Sequence, residues 1–330
     1  QFDELDAALS RARREGGQVR TLEAINTTFL DVYPRPHQAS MLDHLAAERS
    51  RGHHRNLVVS ATGTGKTILS ALDFRNLTEQ LEEPRLLFVA HRREILYQAR
   101  EAFRATLRKN RLGEILGDGE RPEEWHHVFA TIQSLSRGAI DHLSRDHFDV
   151  VIIDEFHHAD ARTYRDLINF VQPQELVGLT ATPERGDGTN VADEFFDGRI
   201  ATELRLWDAL DADLLVPFHY FGIDDGTDLS ALELRQGNYE SSELDRIYID
   251  REETAQRRLR VIFEELERKV ADPRSMKALG FCSSKRHAEY MAEAFNRANI
   301  PAEVLLGESD TSIRSNAVDR LLSDSDPLAI

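Results

Sequence analysis

Cys282 is the single cysteine in a chain of 330 residues. An intramolecular disulfide is therefore excluded, and a reducing compartment, the cytoplasm, is the expected setting. Long apolar runs are missing too. No stretch approaches the roughly 18 consecutive apolar residues that a membrane span requires. The opening QFDELDAALSRARREGG is charged and amphipathic, unlike a signal peptide. Basic charge is in short supply: 41 Lys and Arg face 58 Asp and Glu, a formal net charge of −17. That balance excludes a protein that coats nucleic acid through bulk charge, but not a local basic or backbone-amide groove. Internal repeats and low-complexity tracts are absent. The chain opens on Gln rather than Met and ends in DSDPLAI, which reads as the start of a buried strand. The expectation is a segment of a longer polypeptide.

What is present is an alternation of short apolar runs with helical periodicity. Asn56–Val59, Leu86–Ala90, His127–Ala130, Val150–Ile153 and Val177–Leu179 read as strands. Ile95, Ala99, Phe103 and Leu107 recur every fourth residue, the stripe of a helix lying on a sheet. Such alternation predicts an α/β fold with a parallel sheet covered on both faces. Residues 1–30 read as a helical extension or linker broken at Gly16-Gly17, and YPRP punctuates before the main body. A first domain is expected over 31–210 and a second over 211–330, beginning with a strand in DADLLVPFHYFGI. The second carries a polar insertion at about 224–242, where Asp224, Asp225 and Asp228 read as an acidic loop lacking calcium-loop spacing. Leu259, Ile262, Phe263, Leu266 and Val270 give a further helical stripe, and KALGFCSS reads as strand and turn.

The run SATGTGKT, Ser60 to Thr67, follows the apolar Leu57-Val58-Val59. Glycines at 63 and 65 allow a tight turn whose N–H groups converge on one anion, and a helix starting near Lys66 adds its positive end. Thr62, Gly63, Thr64, Gly65, Lys66 and Thr67 thus form a candidate phosphate cradle. Lys66 reaches the β- and γ-phosphates of ATP, and the Thr67 hydroxyl is placed to ligate Mg²⁺. Ser60 stands where the general pattern has its first glycine. A plain glycine turn is the alternative, but Gly-x-Gly-Lys-Thr between strand and helix is far more specific than a glycine pair. The run FDVVIIDEFHH then ends a buried strand in two carboxylates. Asp154 is placed to hold Mg²⁺ through its water shell, and Glu155 to orient and deprotonate an attacking water. The ends of parallel strands are where α/β ligand sites form.

Asp154-Glu155-Phe156-His157 resembles the DExH box of superfamily-two helicases and translocases, and other motifs of that family appear in order. RPHQ, residues 35–38, looks like the adenine-reading motif, with Gln38 at the base edge and Arg35 beside it. VAHRRE, residues 89–94, and TIQSL, residues 131–135, look like the motifs that touch nucleic acid, through Arg92, Thr131 and Gln133. LTATPER, residues 179–185, is similar to the coupling motif, with Thr180 and Thr182 as its hydroxyls and His157 linking the ATP site to the domain interface. GFCSS, residues 280–284, stands where a second RecA-like domain opens. His157, His158 and Asp160 could form a metal site, but a cradle of this kind needs no zinc. The pairs His53-His54 and His126-His127 read as surface histidines.

The resemblance covers most of residues 31–330. It is nearest to a bacterial group related to restriction-enzyme motor subunits, whose members often carry nuclease or other domains. It implies tandem RecA-like domains, the second incomplete, with ATP and Mg²⁺ as cofactors and nucleic acid, DNA before RNA, as partner. Nothing after Ile313 matches the later motifs that supply arginine fingers, worth roughly 10³–10⁵ in rate, so this segment is expected to bind ATP and hydrolyse it slowly. Three readings compete: a helicase or translocase motor, a nucleic-acid-gated ATPase that licenses a partner or nuclease without separating strands, and an ATPase that remodels protein. The nucleic-acid motifs disfavour the last.

Overall fold

The computed structural model describes residues 31–323 apart from 118, 158–161, 185–187, 231, 233–238 and 308–310. The helical reading of 1–30, the tail DSDPLAI, His158, Asp160, Arg185 and part of the expected insertion lie outside the described residues. These form two compact units that divide between Phe218 and His219.

The first unit is built on one sheet. In chain order its elements are α1 (Pro36–Ser50), β1 (Arg55–Ser60), α2 (Lys66–Thr78), β2 (Leu86–Ala90), α3 (Arg93–Leu107), β3 (Glu114–Leu116), β4 (His127–Thr131), β5 (Val150–Ile153), α4 (Arg162–Phe170), β6 (Glu175–Thr180), α5 (Val191–Phe195), β7 (Thr202–Leu204) and α6 (Leu206–Asp211). The strands run in the order β3-β4-β2-β5-β6-β1-β7, with every pair parallel. Successive side chains on a strand point to opposite faces, and both faces here are buried. Val58, Phe88, Phe129 and Ile152 enter one core with Leu45 of α1, Leu72 of α2 and Phe103 of α3. Their neighbours Leu57, Val59, Leu87, Val89, Val151 and Ile153 enter the other with Leu167 of α4 and Val191 of α5. Two-sided burial is why these strands are continuous apolar runs. On the first face Phe103 meets Phe88 and Phe129 edge-on, with ring centroids 5.8 and 5.4 Å away.

At the far end of the sheet from the strand C-termini, Arg49 of α1 makes a two-pronged pair with Asp73 of α2, at 2.6 and 2.7 Å. Its Nε donates to Glu175 of β6 at 2.9 Å. All three side chains are at most one-tenth exposed. Removing one member of such a set typically costs about 3–5 kcal/mol, because a charge is left buried alone.

The second unit is helical among the described residues: α7 (Glu252–Lys269), α8 (Lys285–Arg297) and α9 (Thr311–Leu322). Phe263 and Phe295 join α7 to α8, centroids 5.1 Å apart. Ser284 caps α8 by accepting from the His287 N–H. The strands expected within 211–223 and 277–284 do not form named strands, and Ala278 makes only an isolated bridge. An extended segment becomes a strand only when a neighbour takes up its N–H and C=O groups, and Phe281 in this run is 94% exposed. In the acidic loop Asp224, Asp225 and Asp228 each accept from a backbone N–H two residues on, closing tight turns. No helix among the described residues is long and apolar enough to cross a membrane.

Candidate nucleotide and nucleic-acid site

The sheet register brings the candidate residues to one edge. Val59 of β1 stands beside Thr180 of β6, and Gly178 of β6 beside Ile153 of β5. The glycine-rich turn leaves β1, the coupling hydroxyls leave β6 and the carboxylate pair leaves β5, so β6 stands between cradle and acids. Gly63 and Gly65 have φ of +90° and +89°, a region open to glycine at little cost. A Cβ on Gly65 would sit 2.8 Å from Gln38 Nε2, and one on Gly63 would sit 3.2 Å from Leu215 Cδ2.

Ser60, the departure from the glycine pattern, has a local use. Its hydroxyl lies 2.6 Å from that of Thr64, which is buried and donates to the Ala61 carbonyl at 2.7 Å. These bonds brace the turn from within, while Thr62 and Gly63 remain exposed at its crown. Lys66 opens α2 and donates to the Ser60 carbonyl at 3.0 Å. Burial lowers its pKa, against the pull of Glu155 and Asp154, which raise it. Thr67 follows in the first turn, half-buried.

Gln38 is 1% exposed, and both ends of its amide are committed to the protein. Its Oε1 accepts from the Arg35 N–H at 3.0 Å and its Nε2 donates to the Gly65 carbonyl at 3.3 Å. The residue expected at a base edge thus braces the cradle. Arg35 is the N-cap of α1, ahead of Pro36 at the first helical position. Sequence reasoning missed His37, whose Nε2 lies 3.1 Å from the Thr64 carbonyl. The only signal for it was its place between Pro36 and Gln38.

Asp154 is 6% exposed. Burial first, then the charge of Glu155, push its carboxyl up to about 6, with the Glu155 N–H and Lys66 pulling the other way. That N–H donates to Asp154 Oδ1 at 3.0 Å. Glu155 sits at φ +51°, a left-handed conformation uncommon outside glycine and associated with functional sites. Its Oε2 lies 3.3 Å from His157 Nδ1, which also lies 3.2 Å from the Thr180 hydroxyl. Thr180 in turn donates to the Thr182 carbonyl at 2.9 Å and accepts from the Thr182 N–H at 3.2 Å. A continuous polar path therefore joins Glu155 to the loop after β6. That loop is anchored by Glu184, which takes both arms of Arg205 at 2.8 and 2.9 Å.

Hard oxygen ligands beside a buried acid of raised pKa suit a divalent cation such as Mg²⁺, and a glycine turn opening a helix at Lys66 offers backbone N–H polarity suited to phosphate. The residues present fit both groups.

Arg92, Thr131 and Gln133 come together on the neighbouring part of the same edge, since Ala90 at the end of β2 pairs with Thr131 at the end of β4. Arg92 is the exposed N-cap of α3 and Gln133 is exposed. Thr131 caps a short helical turn by accepting from the Ser134 N–H. Of the expected surface histidines, His53 and His54 approach Glu48 and Glu175 at 2.7 and 2.6 Å. His127 departs from the expectation: it is partly buried edge-on against Phe74, and burial, helped by His126 and Lys109, lowers its pKa to about 4.

Comparison with known proteins points the same way. Residues 31–185 match the family described as type III restriction enzyme, res subunit. The chain is 26% identical over 286 residues to the type I restriction enzyme EcoAI endonuclease subunit of Escherichia coli, covering 81% of this chain and 34% of that one. It is also 26% identical over 305 residues to a protein of Schizosaccharomyces pombe named as a mitochondrial ATP-dependent helicase, irc3, covering 90% of this chain and 48% of that one. Among solved structures, the ATP-dependent type ISP restriction-modification enzyme LlaBIII, bound to DNA, superposes with a TM-score of 0.65 at 16% identity, over 91% of this chain and 24% of that one. The chain thus spans between a third and a half of the length of the two sequence relatives. Residues 31–185 thus resemble the res-subunit domain of type III restriction enzymes, and the chain as a whole is similar to a restriction-enzyme subunit and to a protein named as an ATP-dependent helicase.

Proposed function

We propose that this chain is the motor portion of an ATP-dependent helicase or translocase acting on DNA. The observation that carries the reading is the polar path from Glu155 through His157 to Thr180, set beside the cradle on one sheet edge. A binding cradle alone needs no such path; an ATPase that couples hydrolysis to movement does. Lys66 and the N–H groups of residues 63–67 hold the phosphates of ATP, Thr67 and Asp154 hold Mg²⁺, and Glu155 takes the proton of the attacking water. Mg²⁺, when bound, neutralises charge on the phosphate oxygens. His157 and Thr180 pass the state of Glu155 to the loop at Thr182. Arg92, Thr131 and Gln133 contact the strand backbone, which positions a nucleic acid without reading its sequence.

DNA is preferred to RNA because the LlaBIII structure is described as bound to DNA. An attached nuclease is suggested by the E. coli relative, named an endonuclease subunit. The part of the chain after Phe218 is read as a portion of a second RecA-like domain on the resemblance of GFCSS to the opening of such a domain; its described residues form helices and no named strand.

The test is ATP turnover by the chain against added duplex and single strand, together with strand-displacement and triplex-displacement assays on the full polypeptide. Stimulation by duplex with displacement of a triplex strand supports a translocase. Stimulation with neither displacement would favour the gated ATPase that licenses a partner. Turnover indifferent to nucleic acid would remove the motor reading.

A further inference from the structure

The hydroxyl of Tyr164 is buried and has no hydrogen-bond partner among the described residues. A buried donor left unpaired costs about 1–3 kcal/mol, and native proteins keep few of them. Phenylalanine would fill the same volume without that cost, so the hydroxyl calls for an explanation.

Its position supplies one. Tyr164 is the third residue of α4, 3% exposed, and its ring belongs to the same buried cluster as Ile153 and Phe156. Those two residues flank Asp154 and Glu155 directly in the chain. Burial, and then the charges of Asp154 and Glu155, push the phenol up to about 12. The group therefore keeps its proton and stays a donor, and the charges it senses belong to two acceptors. Asp154 Oδ1 takes the Glu155 N–H and Glu155 Oε2 lies near His157. A carboxylate offers about four lone-pair sites, so each acid has room for another donor.

We propose that Tyr164 is a positioning residue of the nucleotide site, its hydroxyl donating to the Asp154–Glu155 carboxylates, directly or through one water, when Mg²⁺ and nucleotide are seated. The inference rests on the ATPase reading of that site. Tyr164 does not touch phosphate; it fixes the orientation of the acids that do the work. The hydroxyl that is a liability in the unliganded protein becomes a contact in the loaded one.

The test compares Tyr164→Phe with the parent chain. Without ligand, the thermal midpoint should be unchanged or raised, because an unpaired polar atom is gone. With Mg²⁺ and a slowly hydrolysed ATP analogue, affinity should fall about tenfold, the worth of one hydrogen bond to a charged group. Affinity for the same analogue in EDTA should not change, since the carboxylates then hold no cation. A ring-fluorinated tyrosine at 164, a stronger donor of nearly the same shape, should restore tight Mg²⁺-dependent binding. A lowered midpoint with unaltered Mg²⁺-dependent affinity would make the hydroxyl purely structural and overturn the proposal. If the parent chain binds no nucleotide at all, the ATPase reading falls and takes this inference with it. If it binds nucleotide and the variant binds equally well, only the inference falls.

Discussion

Lys66 donates to the Ser60 carbonyl in the unliganded protein, so its ammonium is held where a phosphate oxygen can replace a backbone one. The side chain is not part of either apolar core. Lys66→Ala should therefore leave the circular dichroism spectrum and thermal midpoint in place while abolishing tight ATP binding or turnover. Unchanged affinity and turnover in a folded variant would remove the cradle assignment. Glu155 should behave differently, because the task proposed for it is proton transfer. Glu155→Gln keeps shape and the left-handed backbone but cannot take a proton, so ATP and Mg²⁺ binding should persist while turnover falls about 10²–10⁴-fold. Single-turnover hydrolysis by the full polypeptide reads this directly, and survival of most of the rate would point to another base. At this scale the placement was legible: Lys66 opens the helix after β1, and Asp154 and Glu155 follow the end of β5, as their motifs implied. The bracing contacts were not, because His37 and Gln38 meet the cradle across 27 residues of chain and no local pattern records that meeting.

Among the elements, β1, β2, β4, β5 and β6 could be read because a strand buried on both faces is written as an uninterrupted apolar run. β3 and β7 could not. Each has three residues and contains a glutamate, Glu114 and Glu203, too short and too mixed to show a period. His127 was misread for a related reason. Its neighbour His126 suggested an exposed pair, whereas β4 turns the His127 ring onto Phe74. That burial has a measurable sign. Folded His127 titrates near 4, against an ordinary 6.5. At pH 7 the folded state is unprotonated and the unfolded state mostly so, and the penalty is small. As pH falls below 6.5 the unfolded chain binds a proton that the fold refuses, and stability declines until about pH 4. The decline should be about 3 kcal/mol, read from urea titrations at a series of pH values. His127→Gln should flatten that part of the profile, and an unchanged slope would mean that other groups carry it.

For the whole molecule, the net charge of −17 has to be reconciled with a nucleic-acid partner. The proposed contact edge does so by using few cations: Arg92 with two neutral side chains and backbone amides. Each duplex phosphate neutralised adds about 0.9 to the salt slope of binding, so affinity should fall modestly with salt. Arg92→Ala combined with Gln133→Ala should lower the slope by about one and remove nucleic-acid stimulation of turnover. ATP binding should survive, because β2 and β4 stand apart from β1 in the sheet. Stimulation undiminished in the double variant would place the strand elsewhere. The second unit was the less legible half. Its helical stripes could be read from periodicity, but whether an apolar run such as KALGFC is a strand depends on a neighbour to pair with, which local sequence does not name.

Leu215 lies against the Gly63 turn, three residues before Phe218, whose ring stacks on Trp207 at 6.4 Å. The chain has only two tryptophans, and they differ sharply: Trp125 is 8% exposed and Trp207 69%. The crown of the cradle is thereby wired to an optical reporter. If a phosphate fills the turn as proposed, it should press on Leu215, and the emission of Trp207 should change in colour or intensity as the site fills. In a Trp125→Phe background, titration with ATP should give a saturable fluorescence signal that Trp207→Phe abolishes. A signal that follows Trp125 instead would mean that the cradle fills without moving the segment that lies over it.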